Sequence, residues 1–468
     1  MIDKQYDEQI KKWLADNRDW LIEEWIELAK IPAIKSKAEK GAPFGKECAR
    51  ALCASAALFK KKGFDTTVYD ESGYALAKYG DKDRTMGLFA HSDVVPVGDG
   101  WIHTEPFNPV VKDNTLIGRS VSDNKSGVML SLAVMMMTRD LNLPVNVNLQ
   151  TFIGSNEETG MQDVEAFAKE QPMPEISLVP DACFPCSAGE KGIWHFWAVS
   201  KKKFNTIKEF CGGEAFNIVL DNALVKIDYN AELMEELMSK ADGDSRYGIT
   251  EADGYIVLKT KGVAKHAATP AGSENAVYYA AKLLAECDNM DASDKEILLS
   301  VAKLTESGFG EGMNLTNEDK YFGKLTAANG MVKCEDSMLS LSFDTRYGII
   351  GSEKVKSIAT ESLSELGFDI HTDEDSPGFS LDENGAVGIF AKVYNELTGK
   401  NKDIIYMGGG TYARKLKNAI SVGTEEGRPN NFQMPKGHGE AHQCDEMIDL
   451  DGFFEAVRIV MHYILSYK

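Results

Sequence analysis

Cysteine, positive charge and long apolar runs are all scarce in this sequence. It contains eight cysteines among 468 residues, too few for the dense disulfide framework of a small secreted domain, so we expect free thiols. Cys183 and Cys186 form a C-x-x-C motif, which could be redox-active or half of a zinc site. No second C-x-x-C completes a four-cysteine site, and we therefore interpret the pair as two buried small residues.

The shortage of basic residues gives the chain a strongly acidic balance. Its 51 Lys and Arg face 72 Asp and Glu, for a formal net charge of −21. A surface of this sign repels phosphate groups, which argues against nucleic acid and anionic membranes as partners. The many carboxylates include candidates for metal binding, although most acidic side chains are simply solvated.

The most apolar stretch runs from Val128 to Met137 and still includes a serine. It is far shorter than the roughly 20 residues that span a bilayer, so it predicts a buried helix. The first residues, MIDKQYDEQI, are polar and charged and lack the apolar core of a signal peptide. We therefore expect a cytoplasmic protein without a membrane segment.

The length of 468 residues indicates two or three domains. Strand and helix patterns alternate in the first part of the chain, change their order in the middle, and alternate again near the end, as in an α/β domain that carries an insertion. We predict that the α/β domain comprises residues 1–187 and 379–468 and that the inserted domain comprises residues 188–378. Within the insertion, residues 216–228 have the pattern of a strand.

A histidine and an aspartate follow the apolar stretch Gly87-Leu-Phe-Ala, which is typical of a buried strand. Side chains two apart on a strand point the same way. His91 and Asp93 can therefore approach one point beyond the carboxyl end of the strand, where open α/β sheets place their sites. A neutral imidazole suits zinc, and a nearby carboxylate could orient the ring. Alone, such a pair is more often a polar strand end at the surface.

Further potential ligands follow other predicted strands and turns. Together with the histidine above, the set is His91, Asp123, Glu158, Asp181 and His442. Two histidines and three carboxylates are what a pair of zinc ions could share, with one carboxylate bridging.

Glu157 and Glu158 are adjacent carboxylates, which repel each other, so a functional reason is plausible. One could bind metal while the other acts as a general base. The competing interpretation is an exposed acidic turn. That interpretation does not account for Gly154 and Gly160 on either side, which suit a tight backbone at a site.

Taken together, these motifs resemble the co-catalytic zinc metallopeptidase family of PepV-type dipeptidases, carnosinases, aminoacylases, glutamate carboxypeptidases and succinyl-diaminopimelate desuccinylase. The matching stretches cover nearly the whole chain: His91-Ser-Asp-Val-Val-Pro, Gly118-Arg-Ser-x-x-Asp123-x-Lys, Glu157-Glu158-x-Gly, Pro180-Asp181 and His442-x-x-Asp-Glu446. Length and the large insertion are most similar to PepV-type bacterial dipeptidases. The resemblance implies a mixed central sheet flanked by helices and interrupted by an inserted α+β lid domain.

The resemblance also implies roles for the candidate ligands. One zinc ion would be held by His91, Asp123 and Asp181, and a second by Asp123, Glu158 and His442. Mn²⁺ or Co²⁺ could occupy the same ligands. Asp93 would orient His91. Glu157 would take a proton from the water that bridges the metals and pass it to the leaving amine.

In the inserted domain, the resemblance implies that His266 stabilises the oxyanion with help from Asn217. Without this resemblance, we would interpret His266 as an ordinary histidine in a loop between a strand and a helix. Arg346 would hold the substrate carboxylate through a bidentate pair. The glycine turn that contains Gly409, Gly410 and Thr411 would bring backbone N–H groups to the same carboxylate.

Two positions depart from the family pattern. Asn124 follows Asp123 where PepV-type enzymes carry a second Asp, and Ser120 stands where the family has Gly. The family usually has a cis peptide bond after the bridging Asp. Asn can adopt that bond, but it carries no charge at this position.

These observations predict a monomeric zinc dipeptidase that hydrolyses short peptides with a free carboxyl terminus. A monomer is expected because the large insertion could supply its oxyanion histidine within one chain. An N-acyl-amino-acid deacylase of the same family is the alternative enzyme. A non-catalytic binding protein on the same fold is disfavoured by the joint presence of the ligands, Glu157 and His266.

Overall fold

The computed structural model describes residues 2–427 and 434–468. The chain forms two compact units. The first comprises residues 1–189, 380–405 and 410–468, and the second comprises residues 190–379 together with 406–409. The second unit is therefore inserted into the sequence of the first, and the short stretch 406–409 also belongs to the second unit.

The helices and strands of the described residues have the following bounds. Helices are Lys4–Ala29, Lys46–Lys61, Lys125–Asp140, Gln162–Glu170, Ala231–Lys240, Ala276–Ala285, Ala292–Thr305, Ser352–Glu365, Ala386–Thr398 and Leu450–Ser466, with short 3-10 turns at Glu311–Met313 and Tyr412–Lys415. Strands are Asp65–Tyr69, Tyr74–Tyr79, Thr85–His91, Val110–Lys112, Thr115–Ile117, Asn148–Gly154, Ile176–Ala182, Ser187–Glu190, Gly192–Lys203, Ile207–Cys211, Asn222–Asp228, Tyr247–Ala252, Tyr255–Lys261, Glu318–Asp319, Gly323–Lys324, Thr326–Glu335, Met338–Tyr347, Phe368–Ser376, Phe379–Ser380, Ile405–Met407, Ala419–Gly423 and Met447–Asp449.

The first unit is built on a mixed sheet whose middle strands are parallel. Thr85–His91 pairs in parallel with Asn148–Gly154 on one side and Ile176–Ala182 on the other. Ala419–Gly423 continues the parallel part beyond Ile176–Ala182, and the hairpin of residues 65–79 adds antiparallel strands at the opposite edge. The predicted α/β class with a mixed central sheet is confirmed. Its parallel strands bring their carboxyl ends to one side of the sheet.

The helix Lys125–Asp140 is buried along almost its whole length. Every residue from Lys125 to Thr138 is buried, which confirms the buried helix predicted from the apolar stretch. A helix that is apolar on all sides belongs in a core. Among the residues that the structure describes, no helix is both long and apolar enough to cross a bilayer.

The second unit contains two antiparallel sheets of four strands each. One has the order Ile207–Cys211, Asn222–Asp228, Tyr255–Lys261, Tyr247–Ala252, and the other has the order Thr326–Glu335, Met338–Tyr347, Gly192–Lys203, Phe368–Ser376. One hydrophobic cluster includes Phe196 and Phe343 from the second of these sheets, Val225 and Leu258 from the first, and Leu284 from a helix. The two sheets therefore share a core, as the predicted α+β insertion requires.

The predicted strand over residues 216–228 is wrong in its first half. Only Asn222–Asp228 forms a strand, whereas the residues before it make an isolated bridge between Ile218 and His266. Phe216 packs its ring against those of His195 and Trp197. Phe216 therefore makes these ring contacts although its backbone is irregular, and its apolar side chain led to the incorrect prediction of a strand.

All eight cysteines are free thiols, as the sequence predicts. Cys186 is buried, but Cys183 is exposed. The interpretation of the C-x-x-C as two buried small residues is therefore wrong for Cys183.

A buried charge cluster joins the helices Lys4–Ala29 and Leu450–Ser466. Asp7 Oδ1 accepts hydrogen bonds from Arg458 Nε at 2.6 Å and from His462 Nε2 at 3.0 Å, and Lys11 Nζ lies 2.7 Å from Oδ2. Burial alone would raise the pKa of Asp7, but hydrogen bonds from Arg458, Lys11 and His462 outweigh it and hold that pKa below its usual range.

We predict that Asp7→Asn lowers the free energy of unfolding at pH 7 by about 2–3 kcal/mol, because it removes the buried charge that Arg458 and His462 contact. A carboxyl whose pKa is lowered by folding stabilises the folded protein at pH values above its unfolded-state pKa, and this contribution is lost as the pH falls. The difference in free energy of unfolding between the variant and the unmodified protein should therefore hold from about pH 8 to pH 5 and shrink below about pH 4. Urea unfolding at each pH measures it. Asp19→Asn, at an exposed position of the same helix, is the control, and equal stability of both variants at pH 7 would contradict the prediction.

Candidate active site

The carboxyl ends of three neighbouring parallel strands carry most of the candidate ligands. Thr85–His91 ends at His91, Ile176–Ala182 contains Asp181 near its end, and the turn with Glu157 and Glu158 follows Asn148–Gly154. Adjacency of the strands therefore brings together residues that lie far apart in the sequence.

Asp123 lies between the two histidines of the set. Its Oδ1 is 3.1 Å from His91 Nε2, and its Oδ2 is 3.0 Å from His442 Nε2. His91 Nε2 is also 3.7 Å from Asp181 Oδ2, and His442 Nε2 is 3.1 Å from Glu158 Oε2. The five candidate ligands thus form one cluster. Asp123 lies at its centre, with one carboxylate oxygen near His91 and the other near His442.

The donor set of this cluster fits divalent cations. The ligand atoms of His91, Asp123 and Glu158 lie within 4.8 Å of one another, as do those of His91, Glu157 and Asp181. His91 Nε2 and the Oε1 atoms of Glu157 and Glu158 are buried without a hydrogen-bond partner. Buried polar atoms are rarely left unsatisfied, so a group that accepts their lone pairs is expected there. Imidazole and carboxylate are ligands that zinc, manganese and cobalt accept.

Burial governs the protonation of three acidic residues at the cluster. Burial raises the pKa of Glu158 to about 7 and that of Asp181 to about 6, and it raises the pKa of Glu157 well above its usual range. Hydrogen bonds to Asp123 and Glu158 raise the pKa of His442 to about 11. The protein groups alone therefore hold protons that bound cations would displace.

Asp93 supports two parts of the site at once. Its backbone carbonyl lies 3.1 Å from His91 Nδ1, and its Oδ1 lies 3.5 Å from the same atom. The carboxylate also accepts the backbone N–H of Glu157 at 3.1 Å and that of Glu158 at 3.2 Å. A proton on Nδ1 leaves the Nε2 lone pair of His91 directed at the cluster. Asp93 also fixes the turn of the two glutamates, a contact that the sequence did not reveal.

Asn124 ties three ligand-bearing segments together. Its Oδ1 accepts the backbone N–H of His91 at 3.3 Å, and its Nδ2 donates to Pro180 O at 2.6 Å and to Asp181 Oδ1 at 3.0 Å. The Asp123–Asn124 peptide bond is cis. An ionised aspartate could not donate to Asp181, so the amide of Asn124 makes a contact that an aspartate at this position would lose.

A buried ion pair that the sequence analysis missed joins the segments of Asp123 and His442. Arg119 Nη1 lies 2.6 Å from Glu446 Oε2, and both side chains are almost fully buried. Glu446 Oε1 accepts the backbone N–H of Ser122 at 2.8 Å and of Asp123 at 3.0 Å, while Arg119 Nη2 donates to His442 O at 3.3 Å. Both residues belong to the motifs quoted from the sequence, which could have drawn attention to each of them. Their pairing could not be seen, because they are 327 positions apart.

Tyr412 and Asp163 form a second supporting pair that was missed. The Tyr412 hydroxyl donates to Asp163 Oδ2 at 2.6 Å, and the same oxygen accepts the backbone N–H of Ser155 and of Asn156. This contact holds the backbone just before Glu157.

The remaining predicted residues are distributed over both units. Gly410 and Thr411 belong to the first unit, and Asn217, His266, Arg346 and Gly409 belong to the second. The Thr411 hydroxyl accepts the Ala413 N–H at 3.1 Å. That hydroxyl is therefore already used in capping the short turn that follows it.

Asn217 and His266 lie alongside each other in the second unit. The Ala267 N–H donates to Asn217 O at 2.8 Å, and Ile218 and His266 form a bridge. The Ala268 N–H donates to His266 Nδ1 at 3.1 Å. In the neutral ring the proton therefore lies on Nε2, where it can be donated.

Known proteins resemble this chain along nearly its full length. A model of peptidase family M20/M25/M40 matches residues 87–466. The Bacillus subtilis (strain 168) protein named "Putative dipeptidase YtjP" is 28% identical over 94% of this chain and 95% of its own. Two solved structures cover 98% of both chains with a TM-score of 0.60, the di-peptidase Dug1p from Saccharomyces cerevisiae at 15% identity and human carnosine dipeptidase 1 at 13% identity. Those structures show the shared fold.

We predict that Zn²⁺ binding to metal-stripped protein releases protons, because the histidines and carboxylates must lose protons to become ligands. Release should grow from pH 8 to pH 6, as the carboxyls of Glu158 and Asp181 become protonated in the metal-free protein. Isothermal titration calorimetry in two buffers of different ionisation enthalpy counts the protons. Asp181→Asn should release fewer. Zinc binding without proton release at pH 6 would contradict the charge argument.

A second prediction concerns Glu446. Glu446→Gln removes the charge opposite Arg119 and weakens the hold on the Asp123 backbone, so we expect affinity for Zn²⁺ to fall about tenfold or more. Calorimetric titration measures affinity, and circular dichroism checks that the variant is folded. Glu71→Gln, at an exposed turn, should bind as the unmodified protein does. Unchanged affinity in Glu446→Gln would show that the pair serves stability alone.

Proposed function

Because the chain belongs to peptidase family M20/M25/M40, we propose that it is a metal-dependent dipeptidase that hydrolyses short peptides with a free carboxyl terminus. The observation that carries this proposal is the cluster in which Asp123 offers one oxygen to each of His91 and His442. The dipeptidase name of the Bacillus subtilis relative and the dipeptidases among the structural neighbours support it.

We propose two Zn²⁺ ions as cofactors, with Mn²⁺ or Co²⁺ as substitutes. His91, Asp123 and Asp181 would hold one ion, and Asp123, Glu158 and His442 would hold the other. When bound, the cations supply Lewis acidity that polarises the scissile carbonyl and lowers the pKa of water. The other steps fall to residues of the chain.

Glu157 is our candidate for the general acid and base. Its Oε1 is buried and without a hydrogen-bond partner, so it is available to take a proton from the attacking water. Burial disfavours the charge of the carboxylate and so favours its holding that proton until the amine leaves. Asp93 accepts the backbone N–H of Glu157 and contacts the ring of His91, which supports a role in positioning both residues.

The remaining residues predicted from the sequence supply the proposed substrate contacts. His266 would donate from Nε2 to the oxyanion with help from Asn217, and Arg346 would bind the terminal carboxylate. Backbone N–H groups of Gly409, Gly410 and Thr411 would bind the same carboxylate. A monomer in the cytoplasm, acting on small peptides and not on nucleic acid or membrane, remains the prediction of the sequence.

The test is hydrolysis of a dipeptide panel, free and N-acetylated, by metal-stripped protein titrated with Zn²⁺ or Mn²⁺. We expect free dipeptides to be cleaved once about two equivalents are bound. Glu157→Gln should keep its metal and lose at least about 100-fold in kcat, as expected when a general base is removed.

Three outcomes would contradict the proposal or one of its parts. Cleavage of the acetylated panel instead would identify an N-acyl-amino-acid deacylase. Normal ligand binding by metal-free protein, with no turnover in any condition, would identify a binding protein on this fold. Full activity of Glu157→Gln would remove that residue from the mechanism.

A further inference from the structure

His195 is a histidine of the second unit that does not belong to the predicted site residues. It lies on the strand Gly192–Lys203, directly opposite Asp344 in the register with Met338–Tyr347. Its Nε2 lies 3.2 Å from Asp344 Oδ2. The side chain is 30% exposed while that of Asp344 is fully buried, so His195 lies at the edge of the buried charge.

Asp344 in turn fixes the guanidinium of Arg346. Its Oδ1 accepts from Arg346 Nε at 2.6 Å and its Oδ2 from Nη2 at 2.7 Å, while Nη1 donates to Gly408 O at 3.3 Å. The two residues are two apart on one strand and therefore share a face. Asp344 uses the side of the guanidinium that contains Nε. The opposite edge, formed by Nη1 and Nη2, is the one that a carboxylate could approach in a bidentate manner.

His195 also contacts the segment that presents Asn217. Its ring stacks on that of Phe216, with 4.9 Å between centroids and an interplanar angle of 21°. Trp197, next on the same face of the strand, meets Phe216 edge-on at 5.6 Å. One imidazole thus touches both the charge pair of Arg346 and the residue that precedes Asn217.

We propose that His195 is a positioning residue for recognition of the substrate carboxylate, acting through Asp344 on Arg346 while its ring supports Phe216; this rests on the proposed function. The shared oxygen carries the argument, because Asp344 Oδ2 contacts both His195 Nε2 and Arg346 Nη2. Burial alone would raise the pKa of Asp344, but His195 and Arg346 together hold it below its usual range. The carboxylate therefore stays charged and keeps the guanidinium in one orientation.

Three variants separate this role from simple packing. His195→Phe keeps a ring on Phe216 and loses the contact with Asp344. His195→Gln keeps a polar side chain that can donate to Asp344 but lacks the ring. His371→Phe replaces an exposed histidine in the same sheet and is the matched control.

Steady-state kinetics on a dipeptide and on its carboxyl-terminal amide gives the first readout. We expect His195→Phe to raise KM for the dipeptide about five- to tenfold, as for loss of one close polar contact with a charged group, with kcat within about twofold. His195→Gln should recover much of the loss, and hydrolysis of the amide should change little. An unchanged KM, or an equal rise for dipeptide and amide, would overturn the proposal.

The second readout needs no activity. In ¹⁵N-labelled protein, the Arg346 Nε–H signal should exchange with solvent about tenfold faster in His195→Phe than in unmodified protein, and it should be protected again in His195→Gln. Equal protection in all variants would overturn the positioning role. If the unmodified protein cleaved no dipeptide, the proposed function would fail, while this signal would still decide whether His195 orders Arg346.

Discussion

The need to compensate several carboxylates buried at one place is the constraint on which the first unit depends. A buried charge is costly unless it is paired or hydrogen-bonded. Asp93, Asp163 and Glu446 each accept two backbone N–H groups of the loops that surround the cluster. The paths of those loops follow from this compensation. The buried oxygens of Glu157 and Glu158 that receive no such donor are the ones available for chemistry.

Much of this site could be predicted from the sequence because its signals are local. His91 and Asp93 follow an apolar stretch that forms the predicted strand, and parallel strands deliver their carboxyl ends to one side. The irregular path of residues 216–221 could not be predicted. The apolar side chain of Phe216 packs against the rings of His195 and Trp197, so the pattern of residue types resembled a strand although the backbone forms no ladder.

The supporting pairs could not be predicted because their partners are distant in sequence. Arg119 and Glu446 are separated by 327 positions, and Asp163 and Tyr412 by 249. The residues around each member do not indicate its partner, because the sequence alone does not distinguish a buried polar side chain from one at the surface. Asn124 illustrates the same limit. The sequence shows only a departure from a pattern, while the fold shows an amide that donates to Asp181 and accepts from His91.

The interrupted order of the first unit has a consequence for biosynthesis. Residues 190–379 are contiguous and leave the ribosome before the strand Ala419–Gly423 and the helix Leu450–Ser466 exist. Domains tend to fold as units during synthesis, so the inserted unit can fold while its host is still missing a parallel strand. His442 is translated after the other four candidate ligands. The nascent chain therefore carries an incomplete set of candidate ligands until the segment with His442 has been made, and binding by all five belongs to the chain that includes it.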